Sequence, residues 1–155
     1  MSIVKRADRQ HYLLVGSEWQ LIGEGFTEFA ESKNAVSYQR RYIHEITKRT
    51  DVTGYAPVID YEFEVYTGNA VIEALRRITD EELVGEAAKV DILTVDLFDE
   101  TATSGVYRAI RRRYSVIPDE SGKGTDALVY SGTMKAVGDI ELGTFVPSSG
   151  VYTKA

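Results

Sequence analysis

"VIDYEFEVY", residues 58–66, alternates apolar and acidic side chains. On an extended chain Ile59, Tyr61, Phe63 and Val65 point one way, and Asp60, Glu62 and Glu64 the other. A period of two is the pattern of a strand with one face on a core. The stretch therefore predicts a sheet with a buried side. Three carboxylates in a row repel each other, so the opposite side must meet water or cations.

Outward from this strand the chain reads mostly as further strands. "HYLLV" (11–15) and "WQLIGEGFTEF" (19–29) are apolar-aromatic runs interrupted by Gly16, Gly23 and Gly25, which suggest turns or bulges. "AVSYQRRYIHE" (35–45) alternates, with Val36, Tyr38, Arg40, Tyr42 and His44 on one face. One helix is expected over "NAVIEALRRITDEEL" (69–83), with Asn69 as its N-cap and Val71, Ile72, Leu75 and Ile78 as its apolar stripe. "KVDILTVDLF" (89–98) and "VYRAIRRRYSVI" (106–117) are strands, "PDESGKGTDA" (118–127) a hairpin loop, and "LVYSGTMKAVGDIELGTF" (128–145) one or two returning strands. The tail "VPSSGVYTKA" (146–155) reads as a mobile or partner-dependent end. This order predicts a mainly β protein, an antiparallel sandwich or partly closed barrel with one flanking α-helix. No linker divides the chain, so residues 1–155 are expected to form a single domain.

Composition narrows the function classes. The chain has 155 residues, 43% hydrophobic and 27% charged, as soluble globular proteins do. It contains no apolar run near the ~20 residues of a membrane span. Its first residues, "MSIVKRADRQHY", lack the apolar core of a signal peptide. The absence of cysteine removes disulfides, thiolate metal sites and cysteine nucleophiles. A net charge of −6 argues against nucleic-acid binding by the protein as a whole, so any basic function must be local.

Candidate catalytic and metal sites are thin. His11 and His44 are the only histidines, and neither belongs to a nucleophile motif. "SGKGT" (121–125) resembles the end of a phosphate loop, but Ile117 stands where that motif needs its first glycine, and no helix is expected to follow. "DLFDE" (96–100) and "TDEE" (79–82) lack the spacing of a calcium loop and read as a strand end and a solvated helix flank. No catalytic residue, cofactor or metal ligand is assigned, and the protein is not expected to be an enzyme.

The basic segments say more. "YQRRYIHEITKRTDVTGYAP" (38–57) holds four cations and three tyrosines against two acids, and "RAIRRRY" (108–114) holds four arginines and no acid. Cations with stackable tyrosines could form a single-stranded nucleic-acid surface. On a strand, however, Arg111 and Arg113 face away from Arg108 and Arg112, which splits the patch. Arginine rows and an acidic row of similar length instead suit pairing across strands or across subunits, and Arg and Tyr are both favoured in interfaces.

Taken in order, "YQRRYIHEITKRTDVTGYAPVIDYEFEVYTGNAV", "DILTVDLFDE" and "RRRYSVIPDESGKGTDALVYSGTMKAVGDIELGTF" resemble the tail tube (major tail) proteins of bacteriophages and prophages of Gram-positive bacteria. The resemblance spans roughly residues 34–145. It implies a tail-tube-like fold and a structural virion protein. Subunits would close into six-fold rings whose inner strands join into one β-barrel, and rings would stack into a hollow conduit for DNA ejection. It implies as partners further copies of the chain, a tape-measure protein in the lumen, tail terminator and baseplate or distal tail proteins, a sheath in contractile tails, and DNA in transit without specific binding. Assembly would take place in the host cytoplasm. Residues 34–57 would supply a strand plus a subunit-bridging loop, with the loop over 44–57. The interface candidates are Tyr38, Arg40, Arg41, Tyr42, His44, Lys48, Arg49, Asp51 and Tyr55. Asp60, Glu62 and Glu64 would form an acidic lumen wall or an inter-strand row. A tube of a contractile bacteriocin or of a type VI secretion system is the related alternative. From another class, a small β-barrel binding single-stranded nucleic acid through its arginine-rich strands is the competing expectation.

Overall fold

The computed structural model describes residues 1–155. Its elements are β1 (Arg9–Val15), β2 (Glu18–Ile22), β3 (Phe26–Ser32), β4 (Ala35–Arg40), β5 (Arg49–Tyr55), β6 (Val58–Glu64), α1 (Ala70–Asp80), β7 (Lys89–Glu100), β8 (Tyr107–Lys123), β9 (Val129–Val146) and β10 (Val151–Lys154). The alternating stretch is β6, and its apolar side chains behave as the pattern requires. Ile59, Tyr61 and Phe63 are buried and Val65 packs against them, while Asp60 is exposed and Glu62 and Glu64 are half-buried.

Eight strands form one antiparallel sheet in the order β2-β1-β7-β8-β9-β6-β3, with β10 also paired to β9. Its two end strands, β2 and β3, are consecutive in the chain and joined only by residues 23–25. The sheet must therefore curl until its ends approach at that turn. No ladder joins β2 to β3, so the barrel is only partly closed, as the strand pattern predicts.

The concave side holds the main core, and α1 closes it. Asn69 caps the helix as expected, its Oδ1 accepting from the amides of Val71 at 3.0 Å and Ile72 at 3.2 Å. Val71, Ile72, Leu75 and Ile78 are all buried against Leu13, Ile59, Phe63, Ile92 and Met134. Tyr130 ties the helix end to β9 by donating to Asp80 at 2.9 Å. A second, smaller core of Tyr12, Leu93, Val95, Ala109 and Phe145 lies on the other face, beneath Trp19, Tyr107 and Tyr152. Ile92 and Leu93 are adjacent and both buried, so β7 is covered on both sides.

Several boundaries differ from the sequence reading, among them that of the helix, which ends at Asp80 rather than Leu83. The strand expected over 35–45 stops at Arg40, because the chain turns through residues 41–48, and much of the segment expected as a loop over 44–57 is instead strand β5, paired with β4. The loop expected over 118–127 is shorter, since β8 continues to Lys123. Pro118 is accommodated because β8 has no β7 neighbour beyond Ser115 and a bulge follows between Pro118 and Glu120. The tail read as a mobile end is a turn followed by β10, paired from Val151↔Val146 to Lys154↔Gly143. Gly143 permits this docking. A Cβ there would lie 2.6 Å from the Tyr152 ring, so only glycine leaves room for that side chain.

Candidate assembly surfaces

β3 and β6 do not end at the barrel rim. Their ladder closes at Ser32↔Val58, and a second ladder opens almost at once at Ala35↔Tyr55, carrying β4 and β5 outward as a two-stranded arm. Asn34 makes the joint in a left-handed conformation (φ 47°), with its side-chain amide donating to Ala56 O at 3.1 Å. Every residue of β4 and β5 is exposed except Arg40 and Gly54, which are intermediate. Val36, Tyr38, Tyr42, Ile43, Ile46, Val52 and Tyr55 all show large apolar surfaces to solvent.

All nine residues singled out as interface candidates lie on this arm. Tyr38 and Arg40 are on β4, Arg49, Asp51 and Tyr55 on β5, and Arg41, Tyr42, His44 and Lys48 in the connecting turn. Several engage one another. Arg40 pairs with Asp51 and stacks on Tyr38 and Tyr42 at 5.3 and 5.9 Å. Arg49 lies 5.4 Å from the Tyr42 ring and pairs with Glu45 at 2.6 Å, and Tyr42 stacks on His44 at 6.4 Å. Arg41 and Lys48 have no partner among the ion pairs of the arm.

Asp60, Glu62 and Glu64 share the convex face of the sheet with Glu28, opposite Glu62 across the β3–β6 ladder. The cation that the alternation called for is Lys123, which reaches Glu62 at 3.0 Å. Sequence reading missed it, because Lys123 lies in the Gly- and Pro-containing run taken as a loop. The β8 arginines divide between faces as expected. Arg111 pairs with Asp91 at 3.0 Å and stacks on Trp19 at 5.2 Å, and Arg113 pairs with Glu86 at 2.7 Å. On the other face Arg112 donates to Gly138 O at 3.3 Å, while Arg108 lies 3.8 Å from Asp99. These arginines are largely engaged within the chain and present no continuous cationic strip.

A recess of about 340 Å³ opens at the barrel seam between β1 and β3, with Ile59, Ile92 and Ile110 inside and Arg6, Arg9, Lys33 and Arg112 around it. Glu31 accepts from Tyr114 and pairs with Lys33 there. Burial alone would raise its pKa, but those two partners outweigh burial and hold the carboxyl below the usual range. His11, on β1, is a half-buried titratable group of this region. Arg6 can only donate, so His11 Nε2, 3.2 Å from Arg6 Nη2, must accept, and Nδ1 carries the proton toward Thr94 Oγ1 at 3.1 Å. Burial, with Arg6 and Arg9 adding to it against Glu31 and Asp96, lowers the His11 pKa from 6.5 to about 4.

This shift has a sign. Between pH 6.5 and 4 the unfolded chain protonates His11 while the folded one does not, so stability falls as pH falls across that window. The expected loss from this group reaches about 3 kcal/mol. Urea unfolding from pH 7 to 4 should show a His11→Gln variant with a flatter profile than the parent. Parallel profiles would remove the assignment.

The sequence matches no known protein family and no curated protein. The fold is similar to that of a chain in the cryo-EM structure of the anti-feeding prophage (AFP) baseplate, six-fold symmetrised. The TM-score is 0.50 at 10% sequence identity, over 92% of this chain and 95% of that one. At that identity the likeness concerns the fold. It places the mainly β architecture with one helix among folds found in a prophage baseplate rather than specifically in a major tail tube.

Proposed function

We propose that this chain is a non-catalytic structural subunit of a phage-tail-like particle, closing with copies of itself into six-fold rings that stack as a tube. The observation that carries this reading is the β4–β5 arm, whose seven large apolar side chains have no core of their own chain to enter. A two-stranded hairpin is marginal alone in water, so such an arm calls for a neighbour. An arm on one side of a subunit and its receptor on another make a heterologous contact, which closes into rings or runs on into filaments. The fold likeness to a prophage baseplate chain supports the same class of particle. Tape-measure, terminator, baseplate and sheath proteins are the partners such a ring would meet.

Electron microscopy of purified protein across a concentration series tests the proposal. Hollow rings or tubes are the expected result. A protein that stays monomeric at millimolar concentration and binds single-stranded DNA in a salt-dependent way would replace it with the nucleic-acid reading.

A further inference from the structure

We infer that the tip of the arm docks on the convex acidic face of a second copy, in the groove between β6, β8 and β9. The inference rests on the self-assembly proposed above and names its contact. The tip reads Arg41-Tyr42-Ile43-His44-Glu45-Ile46-Thr47-Lys48. Ile43 and Ile46 are almost fully exposed, at 107% and 93%, and the two flanking cations, Arg41 and Lys48, lack carboxylate partners in their own chain.

The groove has the complementary form. It encloses about 410 Å³ with Ile117 and Pro118 among its lining, and Glu28, Asp60 and Asp119 around them. Ile117 is 43% exposed. Of the acids there, Glu62 is paired with Lys123, whereas Asp60 and Asp119 form no ion pair in their own chain, Asp119 lying near Lys123 without pairing to it. An aliphatic pair bracketed by free cations thus meets an apolar ledge bracketed by free carboxylates. Matching of this kind sets register and selects the partner surface.

Two alternatives fit less well. The seam recess is also apolar inside, but Arg6, Arg9, Lys33 and Arg112 surround it and would repel the arm's cations. The arm does not reach the groove of its own chain in this structure, because β4 and β5 prolong the β3–β6 hairpin away from the body. A second copy remains as the occupant. The acidic row is then a contact between subunits rather than a lumen wall.

A mixing experiment tests the contact. One variant carries Arg41→Glu and Lys48→Glu, and another carries Asp60→Lys and Asp119→Lys. All four positions are exposed, so both variants should melt close to the parent. Each alone brings like charges together and should need a concentration at least about ten-fold higher to assemble, whereas an equimolar mixture should regain parental assembly. Independently, single variants Ile46→Cys and Ile117→Cys of this cysteine-free chain, mixed and oxidised, should yield a disulfide between positions 46 and 117. If the parent assembles but the mixture does not recover and no such disulfide forms, the docking site is wrong while the ring proposal stands. If the parent never assembles, both fall.

Discussion

Replacing Phe63 by alanine is expected to cost about 3–5 kcal/mol of folding stability, a large part of the roughly 5–15 kcal/mol that holds a single domain together. The side chain is fully buried at the centre of the concave core. Its ring lies 5.1 Å from Phe26, 6.0 Å from Tyr61 and 5.5 Å from Tyr130, so three aromatic neighbours lose contact together. β6 is held between β3 and β9, with one register shift, between Phe26 and Glu28, in its β3 ladder. The melting temperature should fall by roughly 6–20 °C, from about 2–4 °C per kcal/mol at this chain length. Phe63→Leu, which keeps most of the volume, should lose less than half as much. Thermal circular dichroism on the three proteins decides it, and a Phe63→Ala variant melting within 2 °C of its parent, about the resolution of such a comparison, would move the core elsewhere.

That expectation was available from the alternation of residues 58–66, since a strict period of two leaves little choice over which side chains enter the core. The helix was equally legible, because Asn69 and the stripe from Val71 to Ile78 are local signals for a local structure. What the sequence did not disclose depends on contacts distant along the chain. β10 exists because Gly143 leaves room for Tyr152, a fit no nearby residue announces. Lys123 meets Glu62 only because β8 continues past Pro118 as an edge strand, where a proline is tolerated. The seam around His11 is assembled from β1, β3, β6, β7, β8 and β9, so no window of sequence contains it. The nine arm residues stand out through charge and tyrosine content together with the resemblance to tail tube proteins. That content could not distinguish a strand running through His44 from the hairpin observed, because alternation persists through the turn.

Excising the arm should separate folding from assembly. Ser32 and Val58 face each other across the last pair of the β3–β6 ladder, so an Asn-Gly turn replacing residues 33–57 can close the hairpin with a two-residue loop. None of the hydrophobic core residues lies in that segment, whose one buried residue is Pro57, its carbonyl accepting from Ala136 at 3.0 Å, and the shortened protein should melt within about 3 °C of its parent, the equivalent of roughly 1 kcal/mol. Assembly should fall by more than about 100-fold in the concentration required, since loss of two or three interface anchors removes at least ~3 kcal/mol. Hydrogen exchange on the intact chain supplies the converse. Amides of residues 44–57 should exchange quickly in the monomer, where the hairpin stands alone, and slowly in the assembled form, where a neighbour covers it. Equal protection in both states, or assembly of the shortened chain at the parental concentration, would take the arm out of the interface. The core would remain as described, because its buried side chains lie outside the arm.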